Sequence, residues 1–383
     1  MKIALVHKRL DLHGGTERDL FTTAEGLRDL GHDVHLFCCE FHVAAPLGVV
    51  PHRIPSLGLG RTARLLSLAM RAPKMIEEAA CEIVMTFDRM PECAVLRCGG
   101  GTHRGFLNRL AAERGALGRL WRNASPYHRT LLALEKRLYH SPRVKKIVAV
   151  SAEVKRDIMS NYKVAKDRIS ILYNGVDLCR FHPQRRRQAG PMVRARWKIP
   201  AEAPLVLFVG SGFRRKGLDR LLAIWNSARL AETYLLVVGS DARLGSYRTW
   251  ADSIAPGRIV FAGRQDQIEN YYGAADVVAL PSMQEAFGNV ILEALASGLP
   301  VVVSRAVGAS EILSGNLAAG IIQQPDDGVE VSKRLASLLA NAGNDDFRNE
   351  ARSIAEAYSW ERHFQGLDAL LREAKASPIA CVS

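Results

Sequence analysis

Glu285 and Glu293 stand with seven residues between them in the stretch PSMQEAFGNVILEALASGLP, which runs from Pro281 to Pro300. The first carboxylate falls in a loop after an apolar run, and the second lies two turns into the helix that follows. Between them, the backbone N–H groups of residues 286–290 crowd a helix N-terminus, where unpaired donors and the helix dipole favour an anion. Phosphate binding does not explain carboxylates beside an anion site, because like charges repel. Carboxylates do pair well with sugar hydroxyls. Glutamates that merely cap a helix are the plain alternative.

Upstream, Val209-Gly210-Ser211-Gly212 closes another apolar run, and Arg214-Arg215-Lys216-Gly217 follows within two residues. Arginine binds a diphosphate as a fork and lysine as a point charge, and the glycines permit close approach. A solvated surface run is the competing reading. Near the start, Gly14-Gly15 follows the first apolar run and opens a helix, as either a ligand loop or a tight turn. The full G-x-G-x-x-G fingerprint is absent, which counts against a nicotinamide enzyme. Cations, helix ends and two carboxylates together point to a phosphate-linked sugar.

These groups need elements to hold them. Short β-branched runs alternate with helical patterns along the whole chain, the signature of parallel sheets wrapped by helices. In the first half the pattern predicts strands over 3–7, 34–38, 83–87 and 146–150, with helices over 16–30, 61–80 and 104–140. Ser151, with Glu153 and Asp157 behind it, reads as a further helix start. In the second half, strands are predicted over 205–210, 234–239, 258–262, 277–281 and 301–304. Helices fall near 217–230, 246–254, 266–274, 288–297 and 329–341. Asn174-Gly175-Val176-Asp177 and the basic, polar stretch 182–190 read as the connection between two domains. The expected fold class is α/β, with two Rossmann-like doubly wound domains facing a cleft.

Composition agrees with that scale. A chain of 383 residues suits two domains, and 48% hydrophobic with 24% charged residues excludes disorder and coiled-coil builds. No apolar run approaches the roughly 18 residues of a membrane span. The run in MKIALVHKRL is too short for a secretory leader and reads as a strand. Seven cysteines without metal-like spacing fit reduced thiols in a cytoplasmic protein.

The net charge of +13 is unevenly spread. Residues 1–170 hold 28 basic and 17 acidic residues, and residues 171–383 hold 24 and 22. Residues 104–146 alone carry 11 basic and two acidic ones. Such a concentration implies an anionic partner for the first half: nucleic acid, an acidic membrane surface or a phosphorylated substrate. A solvated helix face is the plain alternative.

The stretch EAFGNVILEALASGLPVV closely resembles the E-x7-E signature of retaining glycosyltransferases of family 4, which have the two-domain GT-B fold. The Gly-Gly loop, Asn174-Gly175-Val176-Asp177, GSGFRRKGLDR at 210–220 and LPSMQEAFG fall in the order that family has them. FDRMPE at 87–92 and GSGFRRKGLDR look most like the lipopolysaccharide core glucosyltransferase I group. The resemblance implies an N-terminal acceptor-side domain over 1–172, a connection over 173–198 and a donor domain over 199–358. A last helix at about 360–376 would pack back on the first domain.

It also implies roles. Arg215 and Lys216 would neutralise the donor diphosphate, Glu285 would contact the transferred sugar, and Glu293 would bind ribose hydroxyls. Gly210, Phe287, Gly288, Asn289 and Val290 would touch the donor through backbone groups. Gly15 would approach the diphosphate from the opposite domain, Asn174 would line the cleft, and Arg264 with Gln265 would contact the base. The aspartate that such enzymes commonly carry after the FxxMP segment is missing from Cys98-Gly99-Gly100-Gly101-Thr102-His103. His103 resembles the cleft histidine of other members, and Asp88 and Asp11 are further acceptor-side candidates. The resemblance implies a hexosyltransferase, with UDP-glucose as donor and a lipopolysaccharide-core or lipid-linked glycan as acceptor. Its expected place is peripheral, on the anionic inner face of the plasma membrane. No metal or other cofactor is expected, since no Asp-x-Asp pair exists to hold one.

Two other classes stand against this reading. A sugar-nucleotide epimerase can share the GT-B architecture, and it would epimerise the donor or release a hydrolysis product with no acceptor present. A nucleic-acid-binding protein has only the basic segment in its favour; Trp121 and Tyr127 are isolated, so the stacking aromatics are missing and no nucleic-acid partner is expected.

Overall fold

Ile3-Ala4-Leu5-Val6 and Val301-Val302-Val303 are buried at every residue, as strands covered by helices on both faces require. The structure, a computed structural model, describes residues 1–12, 15–56, 60–110 and 125–377. The chain divides into two units, one of Met1–Tyr173 with the chain from Glu361 onward, the other of Asn174–Trp360.

The first unit holds β1 (Lys2–Leu10), α1 (Gly15–Asp29), β2 (Asp33–Phe41), β3 (Val50–Arg53), α2 (Gly60–Glu78) and β4 (Ile83–Thr86). Next come β5 (Val95–Cys98), α3 over 103–110, α4 (Pro126–His140), β6 (Lys146–Ala149), α5 (Ala152–Tyr162) and β7 (Ile169–Ile171). The sheet order is β3-β2-β1-β4-β5-β6-β7, and every pairing is parallel; Leu5 on β1 lies beside Leu36 on one side and Met85 on the other. The chain steps outward from β1 to β3 and then returns to β4, so the connections diverge between β1 and β4. Open α/β sheets bind ligands at such a switch point, beyond the carboxyl ends of the strands.

The second unit begins with α6 (Arg185–Gln188), α7 (Gly190–Arg196), β8 (Leu205–Val209), α8 (Phe213–Lys216), α9 (Leu218–Ile224) and β9 (Tyr234–Val238). It continues through α10 (Leu244–Ile254), β10 (Ile259–Gly263), α11 (Ile268–Ala274), β11 (Val277–Leu280), α12 (Asn289–Ala296) and β12 (Val301–Ser304). It ends with β13 (Ile321–Ile322), α13 (Gly328–Ala340) and α14 (Asp345–Glu356). Its strands run β10-β9-β8-β11-β12-β13, all parallel, with the switch point between β8 and β11. Trp225, Phe208 and Phe213 fill the core on one face of this sheet. The final helix, α15 (Trp360–Ala376), buries Leu367, Leu371 and Ala374 in the core of the first unit.

The doubly wound α/β class read from the sequence is the one observed. Four short strands escaped that reading. Edge strand β3 carries Pro51, and β5 includes Arg97, whose buried guanidinium donates from Nε to Asp19 Oδ2 at 3.2 Å. β7 and β13 are too short to show a pattern. The helix expected over 104–140 is not one element. Its described parts are α3 and α4; α4 starts afresh at Pro126, and the Ser125 hydroxyl accepts the His128 N–H to cap it. Residues 111–124 lie outside the described residues. The stretch 182–190 is not a free connection either. It forms α6 and the start of α7 and packs on α11, where Arg186 and Arg194 share the Asp276 carboxylate at 2.9 Å each. A Cβ on Gly190 would stand 2.6 Å from the Gly273 carbonyl oxygen, so only glycine fits that approach.

Candidate active site

In the second unit, the loops after β8, β9, β10, β11 and β12 meet beyond the carboxyl edge of the sheet. Gly210 leaves β8 with φ +148°, and a Cβ there would strike the Lys216 side chain at 2.2 Å. Glycine at 210 therefore lets the lysine cross its own loop. Gly217 (φ +85°) plays the same part against Pro281, whose carbonyl oxygen would lie 2.1 Å from a Cβ. The Arg215 carbonyl then accepts from Ser282 Oγ at 2.9 Å and from the Met283 N–H at 3.2 Å. These bonds dock the loop after β11 against the cationic turn.

The docking brings three predicted residues together. Glu285 pairs with the Arg215 guanidinium, and its Oε1 lies 3.3 Å from Lys216 Nζ. Glu285 and Lys216 are mostly covered, with side chains 15% and 12% exposed, while Arg215 is 56% exposed. Glu285 is held from behind: its carbonyl accepts the Gly308 N–H at 3.0 Å, and the Phe287 carbonyl accepts the Ala309 N–H at 2.7 Å. Two cations and one carboxylate leave a net positive turn with fixed side chains, an arrangement suited to anionic charge.

Glu293 is placed by a different neighbour. Tyr272 on α11 donates its hydroxyl to Glu293 Oε2 at 2.6 Å. Burial, with Glu293 beside it, raises the Tyr272 pKa well above the ordinary tyrosine range, so the phenol stays a donor. Sequence reasoning missed Tyr272, because nothing in Tyr271-Tyr272 separates a carboxylate holder from two core rings. Gly288 (φ +92°) turns the chain into α12, and Asn289 Oδ1 accepts from Asn174 Nδ2 at 2.7 Å. Val290 follows in the first turn of α12. Arg264 is exposed beyond β10 and donates from Nε to Ser240 Oγ at 2.8 Å, while Gln265 donates to the Ala262 carbonyl at 2.6 Å.

The first unit supplies a separate pocket of about 240 Å³ at its own switch point, lined by His7, Lys8, Asp88, Arg89, Cys98–His103 and Glu135 among others. No carboxylate occurs within 98–103, but the fold imports two. Asp157 Oδ2 accepts the Thr102 N–H at 2.6 Å; Glu135 Oε1 accepts the His103 N–H at 2.7 Å and Oε2 the Arg104 N–H at 3.1 Å. Neither was found from sequence, since both are far away along the chain. Together they cap α3, so that helix end is already occupied by negative charge. The His103 ring faces His128 (Nε2 to Nδ1 3.0 Å), and burial, then Arg89 and His128, lowers its pKa to about 4. It is therefore neutral at pH 7. Asp11 pairs with Arg9 at 2.9 Å, and Arg9 also holds Glu17. Gly15 opens α1, and a Cβ there would meet nothing within 4 Å; residues 13–14 lie outside the described residues.

Part of the basic segment is balanced within its own unit. Arg109 pairs with Asp157 at 3.6 Å, Arg137 and Arg143 with Glu92, and Lys146 with Glu373 at 2.7 Å. Arg129 and Lys136 are exposed on α4, whereas Arg114, Arg119 and Arg122 lie outside the described residues. Among the described residues, no helix is long and apolar enough to cross a membrane.

Two parallel-sheet units of this kind, the second carrying a cationic turn and two placed glutamates, define a GT-B glycosyltransferase. The Glycosyltransferase Family 4 model matches residues 13–180 and the Glycosyl transferases group 1 model matches residues 203–341, and the chain belongs to this family of enzymes. It is 25% identical over 334 residues to the lipopolysaccharide glucosyltransferase WaaG of Escherichia coli (strain K12), covering 86% of this chain and 87% of that one. The crystal structure of WaaG, a glycosyltransferase involved in lipopolysaccharide biosynthesis, matches with a TM-score of 0.80 at 22% identity, over 96% of this chain and 99% of that one. Anabaena HepE in complex with UDP-glucose matches with a TM-score of 0.70 at 18% identity, over 97% and 100%.

Proposed function

We propose that the protein transfers glucose from UDP-glucose, with retention of configuration, to a lipopolysaccharide-core or other lipid-linked glycan acceptor. The observation that carries this reading is the packing of Arg215 and Lys216 on Glu285. Cations held in place before the reaction stabilise charge on the leaving diphosphate without reorganising. In this reading Glu285 also contacts the transferred sugar. Glu293, oriented by Tyr272, takes the ribose hydroxyls. The N–H groups of residues 287–290 face the phosphates and sugar, and Arg264 and Gln265 reach the base. The leaving phosphate itself takes the acceptor proton, so no protein base is required. The diphosphate charge rests on Arg215, Lys216 and the start of α12, and no metal is required.

The acceptor class is supported by the name of the WaaG relative, and the donor by the ligand of HepE. The exposed cations of α4 support a peripheral position on the anionic cytoplasmic face of the membrane. The test is to incubate the protein with UDP-glucose and a truncated lipopolysaccharide core and determine the anomeric configuration of the product by NMR. The reading expects an α-linked glucose. A β-linked product would overturn retention, and no product with any nucleotide sugar would overturn the donor and acceptor assignment.

A further inference from the structure

Asp88 follows β4 and His7 lies on β1, so the two flank the switch point of the first sheet, and both side chains are buried. Asp88 Oδ1 accepts the Arg89 N–H at 2.9 Å, and the Asp88 N–H donates to Thr86 Oγ1 at 3.1 Å. Oδ2 differs. It is buried, accepts no hydrogen bond, and faces His7 Nε2 at 4.0 Å, beyond hydrogen-bond reach. A carboxylate oxygen left bare away from water is costly, and both Asp88 and His7 line the 240 Å³ pocket.

We propose that this pocket binds a neutral sugar hydroxyl of the acceptor, and that Asp88 Oδ2 accepts its hydrogen bond. The inference rests on the transferase reading and adds the chemistry of the acceptor group that the site selects. Two observations weigh against a phosphate in the same place. The N–H groups of Thr102, His103 and Arg104 at the head of α3 are taken by Asp157 and Glu135, and the Gly105 N–H by Thr102 Oγ1 at 2.9 Å. The Asp88 carboxylate repels a second anion. Burial alone would raise its pKa, but His7, Lys8 and Arg89 outweigh burial and hold it below the usual aspartate range. An ionised carboxylate only accepts, so its partner must donate. Asp88 binds substrate in this account and moves no proton.

The test uses the full chain, with methyl glycosides of glucose, galactose, mannose and heptose as neutral probes and inorganic phosphate as the charged one. The imidazole NMR signals of His7 and His103 report on the pocket. At least one glycoside is expected to shift both sets of signals, and phosphate neither. Asp88→Ala should weaken that glycoside about ten-fold or more, with a smaller loss for Asp88→Asn, which keeps the side-chain shape and guards against misfolding. Acceptor KM should rise in both variants while UDP-glucose affinity stays within about two-fold of wild type. Phosphate binding in place of glycosides, no response to any probe, or wild-type glycoside affinity in Asp88→Asn and Asp88→Ala would each overturn the proposal. If no nucleotide sugar binds, the transferase reading fails, and the glycoside titration still decides the role of Asp88.

Discussion

The Tyr272 hydroxyl stands 2.6 Å from Glu293 Oε2, tying α11 to the helix that follows the Glu285 loop. Because the phenol stays protonated, the contact fixes the direction of the carboxylate rather than competing with it for charge. Tyr272→Phe keeps the ring and removes the donor. Its affinity for UDP-glucose is expected to fall about ten-fold, the loss typical of one hydrogen bond to a charged group. Glu293→Ala is expected to lose at least as much, with acceptor KM unchanged. Calorimetric titration of both variants checks this. Wild-type affinity in Glu293→Ala would remove the ribose role.

Lys216 is covered where Arg215 is exposed, with its ammonium 3.3 Å from Glu285. If it stabilises charge that develops as the diphosphate departs, its loss lowers turnover more than ground-state affinity. Lys216→Ala is expected to reduce kcat at least ten-fold, about 1.4 kcal/mol, with a smaller change in donor Kd. Steady-state kinetics in the presence of a chelator gives both numbers. Full turnover in the variant would take Lys216 out of the mechanism.

The parts of this site that were legible in the sequence are those built from local chain. The cationic turn and the Glu285 loop each follow a buried strand, and the glycines at 210, 217 and 288 mark backbone that other residues adopt poorly. What pairs with what was not legible. Tyr272, Glu135 and Asp157 reach their partners from 21 to 55 residues away, and no spacing rule announces such a contact. The same holds for Arg186 and Arg194, which fall in the stretch read as the interdomain connection and share buried Asp276. Strand β5 was hidden because Arg97 breaks its apolar run, a charge held by Asp19 and the Leu172 carbonyl.

Acid stability should follow His363 on α15. Its ring is buried, Nδ1 contacts the Tyr173 carbonyl at 2.6 Å, and burial, then Arg97, lowers its pKa from 6.5 to about 4. A histidine with a depressed folded pKa binds its proton more readily in the unfolded chain. Its contribution is complete above about pH 6.5 and is lost as pH falls towards 4, amounting to roughly 3 kcal/mol. His103 acts in the same direction. Urea unfolding from pH 7 to pH 4 should show stability falling across that window, with a shallower fall in His363→Gln. An unchanged slope in the variant would show that other groups dominate.

Membrane attachment should depend on the outward cations of α4. Each Lys or Arg near an anionic surface contributes about 1 kcal/mol and acts within a Debye length of about 8 Å. Replacing Arg129 and Lys136 by alanine is expected to reduce binding to phosphatidylglycerol-containing vesicles about thirty-fold, with UDP-glucose affinity unchanged. Sedimentation with anionic and neutral vesicles over a salt series reads this directly. Equal binding to the two vesicle types, or none to either, would reject the membrane role and leave the transferase intact.

We propose that the loops around Arg215, Lys216, Glu285 and Glu293 hold a nucleotide sugar. Thermal unfolding of the pure protein with UDP-, GDP- and ADP-glucose in turn, each in excess and with a chelator present, tests it most directly. A ligand at about a hundred times its Kd adds about 2.7 kcal/mol, which for a domain of this size raises Tm by roughly 5–10 °C. UDP-glucose should give the largest rise, and Glu293→Ala should abolish most of it. No rise with any nucleotide sugar, or an equal rise in Glu293→Ala, would contradict the account.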